Sequence, residues 1–341
     1  MQRKLFIALL AVIAIVSLFF LQRTNDRKVS YQQNEGTIFG TIFGTLYHAK
    51  YLYDKDLKPE IEAELCKVDA SLSMFNPQST ISRINRNETD KVDEMLSEVL
   101  ELSFFINKAT DGAFDPTVAP LVNAWGFGFK NGQLPDSTQV DSLLSLVGLS
   151  HIHIDRNKLT KANPNSILDF SAIAKGYGVD KAAQLLRSHG IENFMIEIGG
   201  EVVTEGVNEK GEAWRIGINK PDDDSTSTNT ELQDIISITG KAIATSGNYR
   251  NFYVKDGRKI AHTINPKTGY PAQQDILSST VLAPTCAEAD AFATAFMVLG
   301  LEEARQVLKS QPELEAYFIY SDEQGNYQTW CTEGFKELII R

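Results

Sequence analysis

Apolar residues along the chain fall into three textures, and each predicts a different kind of element. The first is an unbroken run over residues 5–21, interrupted only by Ser17 and preceded by Arg3 and Lys4. A basic start followed by such a run is an export or anchoring signal. At about 1.5 Å per residue it reaches roughly 25 Å, enough to span a hydrocarbon core of about 30 Å when flanking residues snorkel. No Cys follows to accept lipid and no A-x-A-like site ends the run, which favours an uncleaved anchor over a cleaved signal peptide. Basic residues lie on both sides, with a slight lean toward an exported C-terminal body. The expected division is an anchor over 1–27, a polar linker over 28–35 within the tether-like stretch 24–35, and a single globular domain over 36–341.

The second texture is helical. Ile61, Leu65, Val68 and Leu72, then Met95, Val99, Leu102 and Ile106, recur at 3.6-type spacing and predict helices over 57–72 and 92–109, with a loop over 73–87 between them. Further helices are expected over 140–149, 172–188 (ended by Gly190), 287–299 and 302–309. The third is alternation, beginning with a strand over 36–53 and continuing over 151–155, 167–170, 194–198, 214–218, 235–239, 252–254, 260–264, 277–283, 316–320 and 327–331. After Gly200 these runs are short and separated by Gly, Asn, Asp and Pro, as in antiparallel sheets, and the polar run 222–230 interrupts them as a surface loop. Helices and strands mix without strict βαβ order. The fold class is therefore α+β, a largely antiparallel mixed sheet core with packed helices.

Charge and cysteine content narrow the functions. With 33 Lys+Arg against 44 Asp+Glu the formal net charge is −11, which argues against a general nucleic-acid binder. Cys66, Cys286 and Cys331 lie far apart with no CxxC or Cys/His spacing, leaving neither a zinc cage nor a disulfide framework.

Three stretches carry candidate chemistry. In CAEADAFATAFMVLG, Asp290 and Thr294 are i and i+4 on a helix, so a carboxylate and a hydroxyl share one face. Hard oxygen donors of this kind suit Mg²⁺, which keeps waters and substrate phosphate oxygens in its shell; a helix-face hydrogen bond is the plainer alternative. In LDFSAIAKGYGVD, a strand ending at Asp169 meets a helix that Ser171 can cap, with Lys175 in its first turns. Free N–H groups and the positive dipole end there favour phosphate, although solvated or paired charges would read the same, and no P-loop is present. In TSGNYRNFYVKDGRKIAHTINPKTGYP, Thr245, Ser246 and Gly247 form a tight polar turn and His262 stands in a strand before Asn265 and Pro266. An imidazole with an ordinary pKa near 6.5 can take a hydroxyl proton near neutrality; a structural histidine is the alternative. Phe75, Phe114, Trp125 or Tyr177 can stack on a planar ring or simply pack in the core. Cys286 shares the Asp290 face, but no base accompanies it, so it is not read as a nucleophile.

Taken in order, these stretches resemble the ApbE family of FAD:protein FMN transferases. The resemblance runs from about residue 40 to 300 through GTLY, LSMFNPQSTISRIN, GAFDPTVAPLVNAWGFG, LDFSAIAKGYGVDKAAQLL, IGGEVVTEG, ATSGNY, AHTINPKTGYP and EADAFATAFMVLG. It implies a Mg²⁺-dependent enzyme with FAD as FMN donor, in which the FMN-side phosphorus passes to a threonine hydroxyl of an acceptor protein and AMP leaves. By the same resemblance Asp290, Thr294 and the Ala172 carbonyl match the metal ligands, and Ala113, Phe114, Asp115, Asp169 and Lys175 match FAD-contacting positions. Phe75 matches an aromatic at the flavin side, and His262 matches the base, with Asp290 counted beside it in catalysis. Two positions depart from the family. Phe43 stands where Met is common, a change at the FAD seat, and Glu201 follows Gly199-Gly200 where Asp is common, a change expected in a loop contact. With the anchor, the resemblance implies a catalytic domain on the periplasmic side of the inner membrane, acting on exported electron-transfer proteins. An FAD pyrophosphatase giving FMN and AMP, or a flavin-binding module without turnover, are the alternatives it leaves.

Overall fold

Residues 29–37, 44–127, 134–221, 231–248, 252–255 and 258–340 are described by the computed structural model, with backbone alone at 254, 255, 258 and 259. In chain order the elements are β1 (Ser30–Thr37), β2 (Leu46–Tyr53), α1 (Lys58–Leu72), α2 (Thr80–Asn85), α3 (Glu94–Ala109), α4 (Ala119–Ala124), α5 (Ser137–Leu144), β3 (Ile152–Asp155), β4 (Lys158–Lys161) and α6 (Ala174–Ser188). There follow β5 (Phe194–Ile198), β6 (Glu201–Glu205), β7 (Trp214–Asn219), β8 (Leu232–Ile238), β9 (Lys241–Gly247), β10 (Phe252–Lys255), β11 (Arg258–Ala261), β12 (Ile276–Ala283), α7 (Cys286–Leu299), α8 (Leu301–Ser310), β13 (Glu315–Ser321), β14 (Tyr327–Cys331) and α9 (Glu333–Lys336).

One sheet organises the molecule, in the order β1-β2-β5-β6-β9-β12-β13-β14, with every neighbouring pair antiparallel. Its two faces follow from period-two alternation. On β9, Ala242 and Ala244 join the large core under the helices while Ile243 joins the opposite one; on β12, Val281 and Ala283 oppose Leu282 in the same way. Helices α1, α3, α6 and α7 cover the first face, burying Ile61, Leu65, Val99, Leu186, Phe292 and Phe296. Fully burying one such side chain stabilises by about 1.5–3 kcal/mol. The β7–β8 hairpin and α9 cover the second, through Ile218, Ile236, Ile238 and Phe335. A third, small cluster of Leu121, Trp125, Val140 and Ile264 joins α4 and α5 to the loop after β11, beside the cavity described below.

The α+β class with a largely antiparallel sheet is borne out, and several elements differ from expectation. Ser30–Thr37 pairs with β2 from Ser30↔Tyr53 to Thr37↔Leu46, so the tether expected over 24–35 gives way to sheet from Ser30 onward. Its polar residues suit an edge strand, where one row of backbone groups faces water. The turn expected at Thr245, Ser246 and Gly247 is the end of β9, paired with Thr280, Ser279 and Ser278. Residues 167–170 form no ladder; the Asp169 N–H donates instead to the Pro116 carbonyl at 2.7 Å. The loop expected over 73–87 contains α2, whose start is capped by Ser79 accepting from the Ser82 N–H. All three cysteines are free. No helix among the described residues is long and apolar enough to cross a membrane; the apolar run 5–21 and Phe43 lie outside the described residues.

Candidate active site

Helix α7 starts at a doubly fixed point. Thr285 caps it with a reciprocal capping box, its side chain accepting from the Glu288 N–H while Glu288 accepts from the Thr285 N–H. From α6, the Asp180 carboxylate accepts the Cys286 and Ala287 N–H groups, each at 2.8 Å. Two of the donors a helix N-terminus leaves orphaned are thus satisfied by the neighbouring helix. The helices lie close because residue 176 is glycine: a Cβ there would collide with the Cys286 carbonyl. The same approach lets the Gly176 N–H donate to Asp290 Oδ2 at 3.1 Å. Alanines at 287, 289, 291, 293 and 295, spread around α7 and all buried, let it pack closely on more than one side, and from the sheet Ser246 reaches the Thr294 hydroxyl at 3.1 Å.

Asp290 and Thr294 open into a cavity of about 360 Å³, within the range of small-molecule sites. Lys175, Glu201, Asp169, Ala172, Ala113, Phe114, Asp115 and His262 line it with them. Nine of the predicted site residues therefore meet in one place. Phe75 does not line it; it is 39 % exposed in the segment between α1 and α2. Phe43 lies outside the described residues.

The charged wall is a chain of three groups. Lys175 Nζ donates to Glu201 Oε1 and stands 3.8 Å from Asp290 Oδ1. Burial works to lower the Lys175 pKa, but Asp290 and Glu201 outweigh it and hold the group above the usual lysine range. Burial pushes Glu201 up, with Lys175 pulling it back. Glu201 Oε2 is buried without a hydrogen-bond partner. Sequence reasoning missed this carboxylate, treating it as a loop contact, whereas it opens β6 at 2 % exposure. Its signal was parity: Glu201 shares a face with Val203, which lies in the core under the helices.

The rest of the lining is built on loops. Asp115 is buried, which raises its pKa against the hydrogen bonds that hold it down. Its Oδ1 accepts from the Thr117 N–H and hydroxyl, and its Oδ2 from the Leu149 N–H at 3.1 Å. These contacts brace the 113–118 loop. Asp169 is likewise raised by burial; its Oδ1 accepts the Ser171 N–H and hydroxyl. Ser171 is thereby taken up in a turn and does not cap the helix, which begins at Ala174. His262 follows β11 directly instead of standing within it, and its ring meets Phe127 edge-on at 6.3 Å. Trp125 Nε1 donates to the Gly269 carbonyl at 2.8 Å, tying α4 to the loop beyond His262. Cys286 is buried, which drives its thiol well above the ordinary range and removes it as a nucleophile.

Among the described residues no three His, Cys, Asp or Glu side chains gather into a metal cage. The donors present still fit a hard cation. A carboxylate, a hydroxyl and a backbone carbonyl at Ala172 are oxygen ligands, and few protein ligands suit Mg²⁺, which draws the rest of its shell from water and phosphate. These three donors are all oxygen, the type that hard cations prefer over the nitrogen and sulfur of softer metals.

A family model described as the ApbE family matches residues 43–318. The chain is 36% identical over 354 residues to the FAD:protein FMN transferase of Haemophilus influenzae, covering 99% of both chains. Its counterpart in Escherichia coli K12 is 35% identical over 294 residues, 84% of this chain and 82% of that one. Among solved structures, the flavin transferase ApbE of Vibrio cholerae superposes with a TM-score of 0.80 at 34% identity, covering 91% of this chain and 99% of the other.

Proposed function

The chain belongs to the ApbE family, and from that premise we propose that it transfers FMN from FAD to a threonine hydroxyl of an acceptor protein in a Mg²⁺-dependent reaction that releases AMP. The observation that carries this reading is the sharing of one cavity by Asp290, Thr294, Lys175 and His262. Asp290, Thr294 and the Ala172 carbonyl are the groups that would hold Mg²⁺, which when bound supplies charge neutralisation at the pyrophosphate.

Phosphoryl transfer needs positioning and charge stabilisation more than covalent help, and the walls divide those tasks. Lys175, charged throughout the physiological range, places a fixed ammonium beside the phosphates. The braced 113–118 loop and the Asp169 turn shape the rest of the pocket. His262 takes the proton of the acceptor hydroxyl as its oxygen bonds to the FMN-side phosphorus; the bridging P–O bond breaks and its electron pair leaves with AMP. The acceptor belongs to the exported electron-transfer proteins, a reading supported by the apolar run 5–21.

The test is incubation of the protein with FAD, Mg²⁺ and a candidate acceptor domain, following acceptor mass and nucleotide products, with EDTA as control. A Mg²⁺-dependent gain of one FMN with matching AMP is expected. FMN and AMP released while the acceptor stays unmodified would replace the transferase with a pyrophosphatase for that pairing; FAD bound and left intact would leave a flavin-binding module.

A further inference from the structure

The charged wall holds two carboxylates and one ammonium, and the ammonium is not shared evenly. Lys175 Nζ is hydrogen-bonded to Glu201 Oε1, while Asp290 Oδ1 lies 3.8 Å away, within ion-pair range but beyond a hydrogen bond. Asp290 Oδ2 is already engaged by the Gly176 N–H. Oδ1 is therefore the oxygen of Asp290 that a cation would use. A shift of about 1 Å would bring Lys175 to hydrogen-bond distance of it.

We propose that Glu201 is a positioning residue that draws the Lys175 ammonium away from Asp290 and so keeps Asp290 Oδ1 open to a divalent cation. Its depth suits that role. Glu201 is 2 % exposed, and its place at the first residue of β6 sets the carboxylate across from the α6 residue it binds. A buried carboxylate with one oxygen unpartnered costs stability unless it is compensated, and here the compensation is Lys175. Without Glu201, Asp290 is the carboxylate left beside that ammonium, and a cation would have to displace it.

The inference rests on the metal reading above, and the test separates the two. Mn²⁺, as a spectroscopic stand-in for Mg²⁺, is titrated into the full chain without FAD, and the free-ion electron paramagnetic resonance signal is followed. Wild type should bind and Asp290→Ala should not; equal, negligible binding by both would overturn the metal reading and this inference together. Glu201→Gln should weaken binding about tenfold. Loss of a nearby negative charge would also weaken binding directly, so the substitution is repeated with Lys175→Met, where positioning predicts a change below about twofold. Unchanged binding by Glu201→Gln, or the same tenfold loss with Lys175 removed, would overturn the inference while leaving the metal site standing. Glu201→Asp, which keeps the charge but draws it back by one methylene, covers the case in which Glu201→Gln does not fold. It should weaken Mn²⁺ binding about threefold, and only when Lys175 is present.

Discussion

The two walls of the cavity are made of different material. The wall that carries Lys175, Glu201, Asp290 and Thr294 is continuous with the main core: α7 residues around the ligand pair, such as Ala289, Ala291, Phe292 and Ala293, are at most 1 % exposed. Each polar group there is fixed by a neighbour on a different element, Asp290 by Gly176, Thr294 by Ser246 and Lys175 by Glu201. The wall that carries His262 rests on the small cluster of Leu121, Trp125, Val140 and Ile264 and on bonds between loops. Charges that must hold fixed distances sit where packing leaves no freedom. His262, which in the proposed reaction would meet the acceptor protein, sits on loop segments outside that core.

That contrast breaks down if substitutions on the first wall are tolerated or if structural changes on the second cost as much as those on the first. Asp290→Ala carries the largest expected effect. It should reduce Mg²⁺-dependent transfer by about 10³-fold or more, a loss of about 4 kcal/mol in transition-state stabilisation, while some FAD binding persists in a fluorescence titration. Retention of full activity would remove Asp290 from the site. His262→Ala should slow transfer about 10²-fold, within the range of a lost general base, with FAD affinity changed only a few-fold. Equal losses in both would make His262 a binding residue.

Stability measurements sharpen the same comparison. Gly176→Ala places a methyl group against the Cys286 carbonyl and should cost about 1–3 kcal/mol by overpacking, read from denaturant unfolding, with metal binding weakened alongside. Trp125→Phe removes the donor to Gly269 and should cost about 1 kcal/mol, raising KM for the acceptor more than it lowers kcat. A drop in kcat as large as that of His262→Ala would show that the loop wall is as tightly determined as the other.

The long helices and strands such as β5 and β13 are readable because their apolar residues keep a clean period, whereas the polar edge strand β1 and the short α2 offer none. β9 was not readable either, and the reason lies in its neighbour. An alanine-rich helix close on the sheet requires small residues beneath it, so KAIATSG lacks the bulky β-branched run that marks a central strand, and its Ser-Gly end imitates a turn. Asp290, Thr294 and Lys175 were legible because each spacing has a chemical reading. Glu201 was less so, since the glycine pair before it suggests a loop, and its inward parity with Val203 shows only once β6 is placed as a strand beside β5. Ser171 illustrates the opposite error. A residue of the capping type stands two positions before the actual N-cap, Ile173, and is taken up by Asp169, whose side chain accepts the N–H and hydroxyl of Ser171.

The double fixing of the α7 start also determines which changes in chain length the site can survive. With Thr285 and Asp180 clamping the first turn, the proposed metal ligands are measured from that origin along a rigid ruler, Asp290 in the second turn and Thr294 in the third. An inserted residue before Pro284 can be absorbed in the approach to the helix, leaving both ligands where they were. The same insertion between Asp290 and Thr294 would swing the threonine by about 100° around the helix axis, away from the cavity, so the five residues from Asp290 to Thr294 cannot change in length without separating the two side chains.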